Sequence, residues 1–168
     1  MYLSLVIPAY NEAERIGDTL VHAAEYFSEQ GYEAEIIVVD DGSIDGTAGV
    51  VRRIQASSPI PIRLDSLPEN RGKGDAVRVG MLHLAAGRFR FYYDADGSTP
   101  IEEVGRCRPL FEDEADIIIG SRSLPGSVIR QRQAWYRENM GRCYNLIEKA
   151  LGITSYPDTQ CGFKGFTA

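Results

Sequence analysis

Short apolar runs alternate with longer amphipathic ones along this chain, and most of the apolar runs end in acidic loops. "LSLVI" (Leu3 to Ile7, ended by Pro8), "EIIVVD" (Glu35 to Asp40), "IRLDS", "FRFYYD" and "ADIIIGSR" read as five strands. A helix is expected from Glu12 to Gln30, with Asn11 placed to cap it, Glu14 three residues on and Gly31 closing it. Others should follow "DGSIDGT", run from "NRGKG" to about Ala86, and cover Glu102 to Phe111 and about Gln131 to Leu151. "CGFKGF" is a candidate last strand. Strands in regular alternation with helices build a mostly parallel sheet covered by helices. The expected class is therefore α/β, a Rossmann-like sheet flanked by helices.

In such sheets ligands sit beyond the carboxyl ends of the strands. The loops at those ends are "PAYNE", "DDGS", "DADGS" and "GSR", and three of the four carry carboxylates. Asp40 and Asp41 are adjacent acids that repel one another unless something donates to them; a nucleoside offers an imide N–H or ribose hydroxyls. Asp45 is placed to cap the helix that follows. Asp94 and Asp96 lie two apart where an apolar strand stops, so both carboxylates are expected to face one pocket. Mg²⁺ favours one or two carboxylates plus substrate phosphates over an all-protein cage, which suits this pair to a metal–diphosphate complex. An acidic surface turn is the bland alternative. "NRGKG" (Asn70 to Gly74) reads either as a helix entry with an exposed lysine or as a backbone that closes near a diphosphate through helix N-terminal amides.

Several classes are excluded. G-x-G-x-x-G is absent after the first strand, and so is the G-x-x-x-x-G-K-[ST] phosphate loop, which argues against a dinucleotide enzyme or a P-loop kinase. The net charge of −6 argues against a general nucleic-acid partner. Arginines nevertheless crowd the segment from Arg122 to Arg142, pointing to a small anionic ligand or a membrane surface. Cys107, Cys143 and Cys161 fit neither a disulfide framework nor a zinc site, and a reducing, cytoplasmic compartment is expected. No apolar run approaches the ~20 residues that span a bilayer. His22 and His83 have no nearby acid or nucleophile that would make a triad.

The motifs "VIPAYNEAERI", "IIVVDDGSIDGT", "NRGKGDAVRVGM", "DADGS", "GSR" and "DTQCGFKGF" occur in an order and at spacings that resemble the family-2 inverting glycosyltransferases of the GT-A fold. The likeness runs over nearly the whole chain. Within the family, "RGKG", "DADG" and "DTQCGFK" are most similar to the branch that glucosylates dolichyl phosphate, and less so to the mannosylating branch. The resemblance implies that Pro8, Ala9, Tyr10 and Glu12 line the nucleoside, with Asp41, beside Asp40, near the base or ribose and Lys73 by the donor pocket. It makes Asp94 and Asp96 the D-x-D pair, with Asp96 on a Mg²⁺ or Mn²⁺ ion, has Arg122 hold phosphates, and sets Asp158 and Gln160 on the acceptor side.

The implied reaction moves a sugar, glucose from UDP-glucose, to a polyprenyl or dolichyl phosphate at the cytoplasmic face of a membrane. A phosphate monoester is already anionic near neutral pH and needs no base. Its difficulty is repulsion from the donor diphosphate, which Arg130, Arg132 and Arg137 suit by bidentate pairing, a solvated helix face being the alternative. "QRQAW" has Gln131 and Trp135 but not the Q-x-x-R-W spacing of processive polymer synthases. Transfer of mannose from GDP-mannose, transfer to a soluble hydroxyl with Asp158 as base, and sugar-nucleotide binding without transfer remain open. Residues 1–168 are expected to form a single catalytic domain, cut short where such domains continue past "GFKGF".

Overall fold

The structure is a computed structural model and describes residues 1–121, 151–152, 156 and 161–168. Its order is β1 (Leu3–Ala9), α1 (Ile16–Ser28), β2 (Ala34–Asp40), α2 (Thr47–Gln55), β3 (Ile62–Ser66), α3 (Lys73–Val79) with a π-helical turn (Gly80–Leu84), β4 (Phe89–Tyr92), α4 (Glu102–Glu112), β5 (Ile117–Ile119) and β6 (Lys164–Thr167). The strands form one sheet in the order β3-β2-β1-β4-β6-β5. β1 pairs in parallel with β2 and β4, β2 pairs in parallel with β3, and β6 runs antiparallel to β4. Contacts divide the chain into a unit of Met1–Ile118 with Phe163–Ala168 and a unit of Ile119–Gly162. The expected helix from Gln131 to Leu151 falls mainly outside the described residues.

β1 is buried at every position, which explains its unbroken apolar run: it is central and covered on both faces. It extends through Pro8 to Ala9 rather than stopping at the proline. The alternation of the ladder gives the reason. Leu3 donates its N–H to Glu33 on the β2 side, while Val6 accepts the Tyr93 N–H on the β4 side. Pro8, two residues on from Val6, turns its missing donor to the β4 side, where pairing has already ended at Val6–Tyr92.

The two faces of the sheet are covered differently. Tyr92, Val6, Ile37 and Val39 cluster with Ala76 of α3 and Met81 of the π-turn. On the alternate face, the Phe89 and Phe91 rings pack on Phe111 of α4, at centroid distances of 4.8 and 5.6 Å. α1 buries Ile16, Thr19, Leu20, Ala23, Ala24 and Phe27, one stripe at helical spacing.

Two helix boundaries differ from expectation. α1 begins at Ile16, and Asn11 does not cap it. Asn11 has φ 53° and spends its side-chain oxygen on the Ile44 N–H. The helix expected to reach Ala86 is α-helical only to Val79. There Ala85 donates to the Gly80 carbonyl, five residues back, and the Met81 carbonyl that it would have used accepts from Arg90 instead.

Candidate active site

The site is built at the carboxyl ends of β1, β2 and β4. Four hydrogen bonds lace the loop after β1 to the loop after β2. Asn11 N–H donates to Ser43 Oγ, Glu12 N–H to Thr47 Oγ1, Ala13 N–H to Asp45 Oδ2, and Ile44 N–H to Asn11 Oδ1. A pocket of about 500 Å³ opens here, lined by Asn11, Glu12, Ala13, Glu14, Arg15 and Asp45. Ala9, the last residue of β1, is buried, and Tyr10 just after it is exposed. Asp45 stands one residue before the cap position of α2, which is Gly46, and accepts the Thr47 N–H and hydroxyl. Its carboxyl is held below the ordinary aspartate value, first by the Thr47 hydroxyl and also by the Ala13 and Thr47 amides.

Asp40 and Asp41 are both buried. The donors that this acidic pair requires come from the chain itself. Asp40 Oδ1 accepts the Ser43 N–H at 3.0 Å. Asp41 accepts the Arg71 N–H on one oxygen and the Gly72 N–H on the other, each at 2.9 Å. Those amides of "NRGKG" therefore point at a carboxylate, not at a phosphate position. Gly42 makes the junction possible. It has φ 72°, and a Cβ there would lie 2.7 Å from the backbone carbon of Glu69. The signal for this contact was the acidic pair itself, but its partner lies thirty residues away and is invisible to local reading.

β4 ends at Tyr92, two residues before the first acid. Asp94 and Asp96 thus sit in a turn, closed by the Gly97 N–H on the Asp94 carbonyl. Thr19 of α1 fixes this turn by donating its hydroxyl to the Ala95 carbonyl at 2.8 Å. The sequence reading missed Thr19, which looks like any buried residue of an apolar stripe. Asp96 is exposed and accepts the Ser98 N–H. Asp94 is partly buried, and its Oδ1 receives both the Lys73 ammonium at 2.6 Å and the Tyr92 hydroxyl at 3.1 Å.

Lys73 is the first residue of α3, and its ammonium also lies 5.4 Å from the centre of the Tyr92 ring. Burial disfavours its charge, but the bonds to Asp94 and Tyr92 outweigh burial and raise its pKa above the ordinary lysine value. It is neither a free surface lysine nor aimed away from the acidic turn. The described residues contain no cluster of three or more metal-ligating side chains. Two accessible carboxylates nonetheless match the oxygen donors that Mg²⁺ or Mn²⁺ takes alongside phosphates, and a cation, the Lys73 ammonium, already rests on one of them. Arg122, Arg130, Arg132, Arg137, Asp158 and Gln160 lie outside the described residues. Among the described residues no helix is long and apolar enough to cross a membrane.

The model of glycosyl transferase family 2 matches residues 4–167. A dolichyl-phosphate β-glucosyltransferase of Dictyostelium discoideum is 35% identical over 99% of this chain and 54% of its own length. The human protein of that name is 33% identical over 98% of this chain and 54% of its own. The chain thus spans about half the length of these relatives. Among solved structures, mannosyl-3-phosphoglycerate synthase from Rubrobacter xylanophilus aligns over 99% of this chain and 53% of its own, with a TM-score of 0.69 at 24% identity. A mannosyltransferase from Pyrobaculum calidifontis, in complex with GDP-Man and Mn²⁺, aligns over 98% and 44%, with a TM-score of 0.64 at 23% identity. At these identities the structural likeness speaks to the fold, which is GT-A as the sequence motifs implied.

Proposed function

We propose, from the premise that this chain belongs to glycosyl transferase family 2, that it is catalytic and moves glucose from UDP-glucose to a polyprenyl phosphate of the dolichyl type. The observation that carries this reading is the acidic turn of Asp94 and Asp96 set beside Lys73 beyond the sheet's carboxyl ends. That arrangement pairs oxygen donors for a cation with a positive charge for phosphate oxygens, as a nucleoside diphosphate requires. The relatives' names supply the sugar and the acceptor.

An oxygen of the acceptor phosphate attacks the anomeric carbon from the face opposite the diphosphate. The bond from that carbon to the β-phosphate oxygen breaks, its electron pair leaves with UDP, and the α-linked donor becomes a β-linked product. Asp94 and Asp96 would hold a divalent cation, whose chemistry there would be to offset charge on the departing diphosphate. In this reading Lys73 pairs with the same diphosphate, and Pro8, Ala9, Tyr10, Glu12 and the Asp40–Asp41 loop flank the nucleoside. Arg122 holds phosphate oxygens. Arg130, Arg132 and Arg137 receive the acceptor dianion, with Asp158 and Gln160 on the acceptor side. The work is done at a membrane surface, where the lipid chain remains.

The test is product formation by the full-length protein with UDP-glucose, Mn²⁺ and a short polyprenyl phosphate. Arg130→Ala with Arg132→Ala should cut transfer by more than the ~1 kcal/mol of an exposed ion pair while leaving UDP affinity unchanged. A neutral polyprenyl alcohol that serves as well as the phosphate would replace this reading with transfer to a hydroxyl.

A further inference from the structure

We propose that Lys73 is a built-in counter-ion for the acidic turn: it holds the cation position on Asp94 while the site is empty of nucleotide, and gives it up to a divalent cation when a nucleoside diphosphate arrives. The inference rests on the reading that this turn takes a cation together with a diphosphate.

Three observations carry it. The ammonium is 2.6 Å from Asp94 Oδ1, within contact distance and on a carboxylate assigned to the cation. The same oxygen is held by the Tyr92 hydroxyl, so the carboxylate is kept in place whether or not the lysine stays. Asp41, finally, grips the Arg71 and Gly72 amides just ahead of Lys73. The root of the lysine is therefore fixed, while its side chain is 59% exposed and able to swing. The moving part is one arm, not the loop.

The consequence is a coupling between two ligands. A divalent cation that approaches Asp94 without nucleotide meets a positive charge already seated there, and like charges a few ångströms apart repel. A nucleoside diphosphate removes the conflict by offering the ammonium phosphate oxygens of its own. Cation and nucleotide then favour one another's binding, and that coupling is reciprocal. Free cation is held more weakly until the substrate that needs it is present.

The test uses Mn²⁺ and UDP on the full-length protein. Mn²⁺ binding is followed by electron paramagnetic resonance with and without UDP, and UDP binding by calorimetry at fixed Mn²⁺. Lys73→Gln should bind Mn²⁺ about two- to fivefold more tightly than the wild type in the absence of UDP, the size of a partly exposed ion pair. It should bind UDP with Mn²⁺ about tenfold or more weakly, because a charged hydrogen bond to phosphate is lost. Lys73→Arg, which keeps the charge, should restore weak Mn²⁺ binding without UDP. That opposite pair of signs is the signature, since a merely structural role would weaken both. If Mn²⁺ supports UDP binding in the wild type and Lys73→Gln leaves nucleotide-free Mn²⁺ affinity unchanged or weaker, the counter-ion inference falls alone. If Mn²⁺ has no effect on UDP binding to the wild type, the metal–diphosphate reading falls and takes this inference with it.

Discussion

The Thr19 hydroxyl donates to the Ala95 carbonyl at 2.8 Å, and through that bond the first helix fixes the turn that carries both site carboxylates. Both residues are buried, so the carbonyl has no water to fall back on. Thr19→Val keeps the shape and removes the donor. It should cost about 1–3 kcal/mol in urea denaturation, the price of an unsatisfied buried carbonyl. It should also weaken Mn²⁺-dependent UDP binding more than Mn²⁺-independent binding, because the turn and not the nucleoside loops is loosened. Equal losses in both would show that Thr19 serves stability alone.

Asp41→Asn tests the clamp on "NRGKG". The carboxylate receives two backbone N–H groups, one on each oxygen. An amide offers one oxygen and turns its NH₂ toward the other N–H, leaving two donors face to face. The expected loss is about 2 kcal/mol or more. Faster amide hydrogen exchange at Arg71 and Gly72 should accompany it, and unchanged exchange there would refute the clamp.

Gly80→Ala should destabilise despite placing a better helix former at the start of the π-turn. The added Cβ would lie 2.3 Å from Val6 Cγ1 and 3.2 Å from Val39 Cγ2. Overpacking costs about 1–3 kcal/mol, against roughly 1 kcal/mol gained in propensity. Adding Val6→Ala should recover part of the loss in a double-mutant cycle. Additive effects of the two substitutions would mean that the helix simply shifts away.

The loop lacing should be acid-sensitive through Asp45. Its folded-state pKa is lowered from 3.8, with the Thr47 hydroxyl bond the largest cause. A depressed pKa contributes stability above the unfolded-state value that is lost as pH falls through the folded one. Asp45→Asn should therefore be less stable than the wild type at pH 7, and the difference should shrink as pH drops below 3.8. A difference independent of pH between 7 and 2 would assign the effect to shape rather than charge.

The sequence by itself determined the layers of this protein. Unbroken apolar runs such as Ile36 to Val39 can only be buried on both faces, and their alternation with helices leaves a parallel sheet whose acidic loops gather at one end. Asp94 and Asp96 could be placed beyond the sheet's carboxyl ends for that reason, whereas Lys73 was named through the family resemblance and its meeting with Asp94 is a finding of the structure. The hydrogen-bond partners were not legible. Asn11 has the residue type of a helix cap, yet the neighbouring loop offered it a better acceptor role at Ile44. Asp40 and Asp41 looked in need of a ligand's donors, yet Gly42 lets residues 69–72 approach closely enough to supply them. The register of one loop against another depends on contacts between residues 21 to 76 positions apart, and local pattern carries no information about them. Tertiary structure alone therefore decided that Asp41 organises a loop, that Thr19 steadies the acidic turn, and that the charge resting on Asp94 is a lysine.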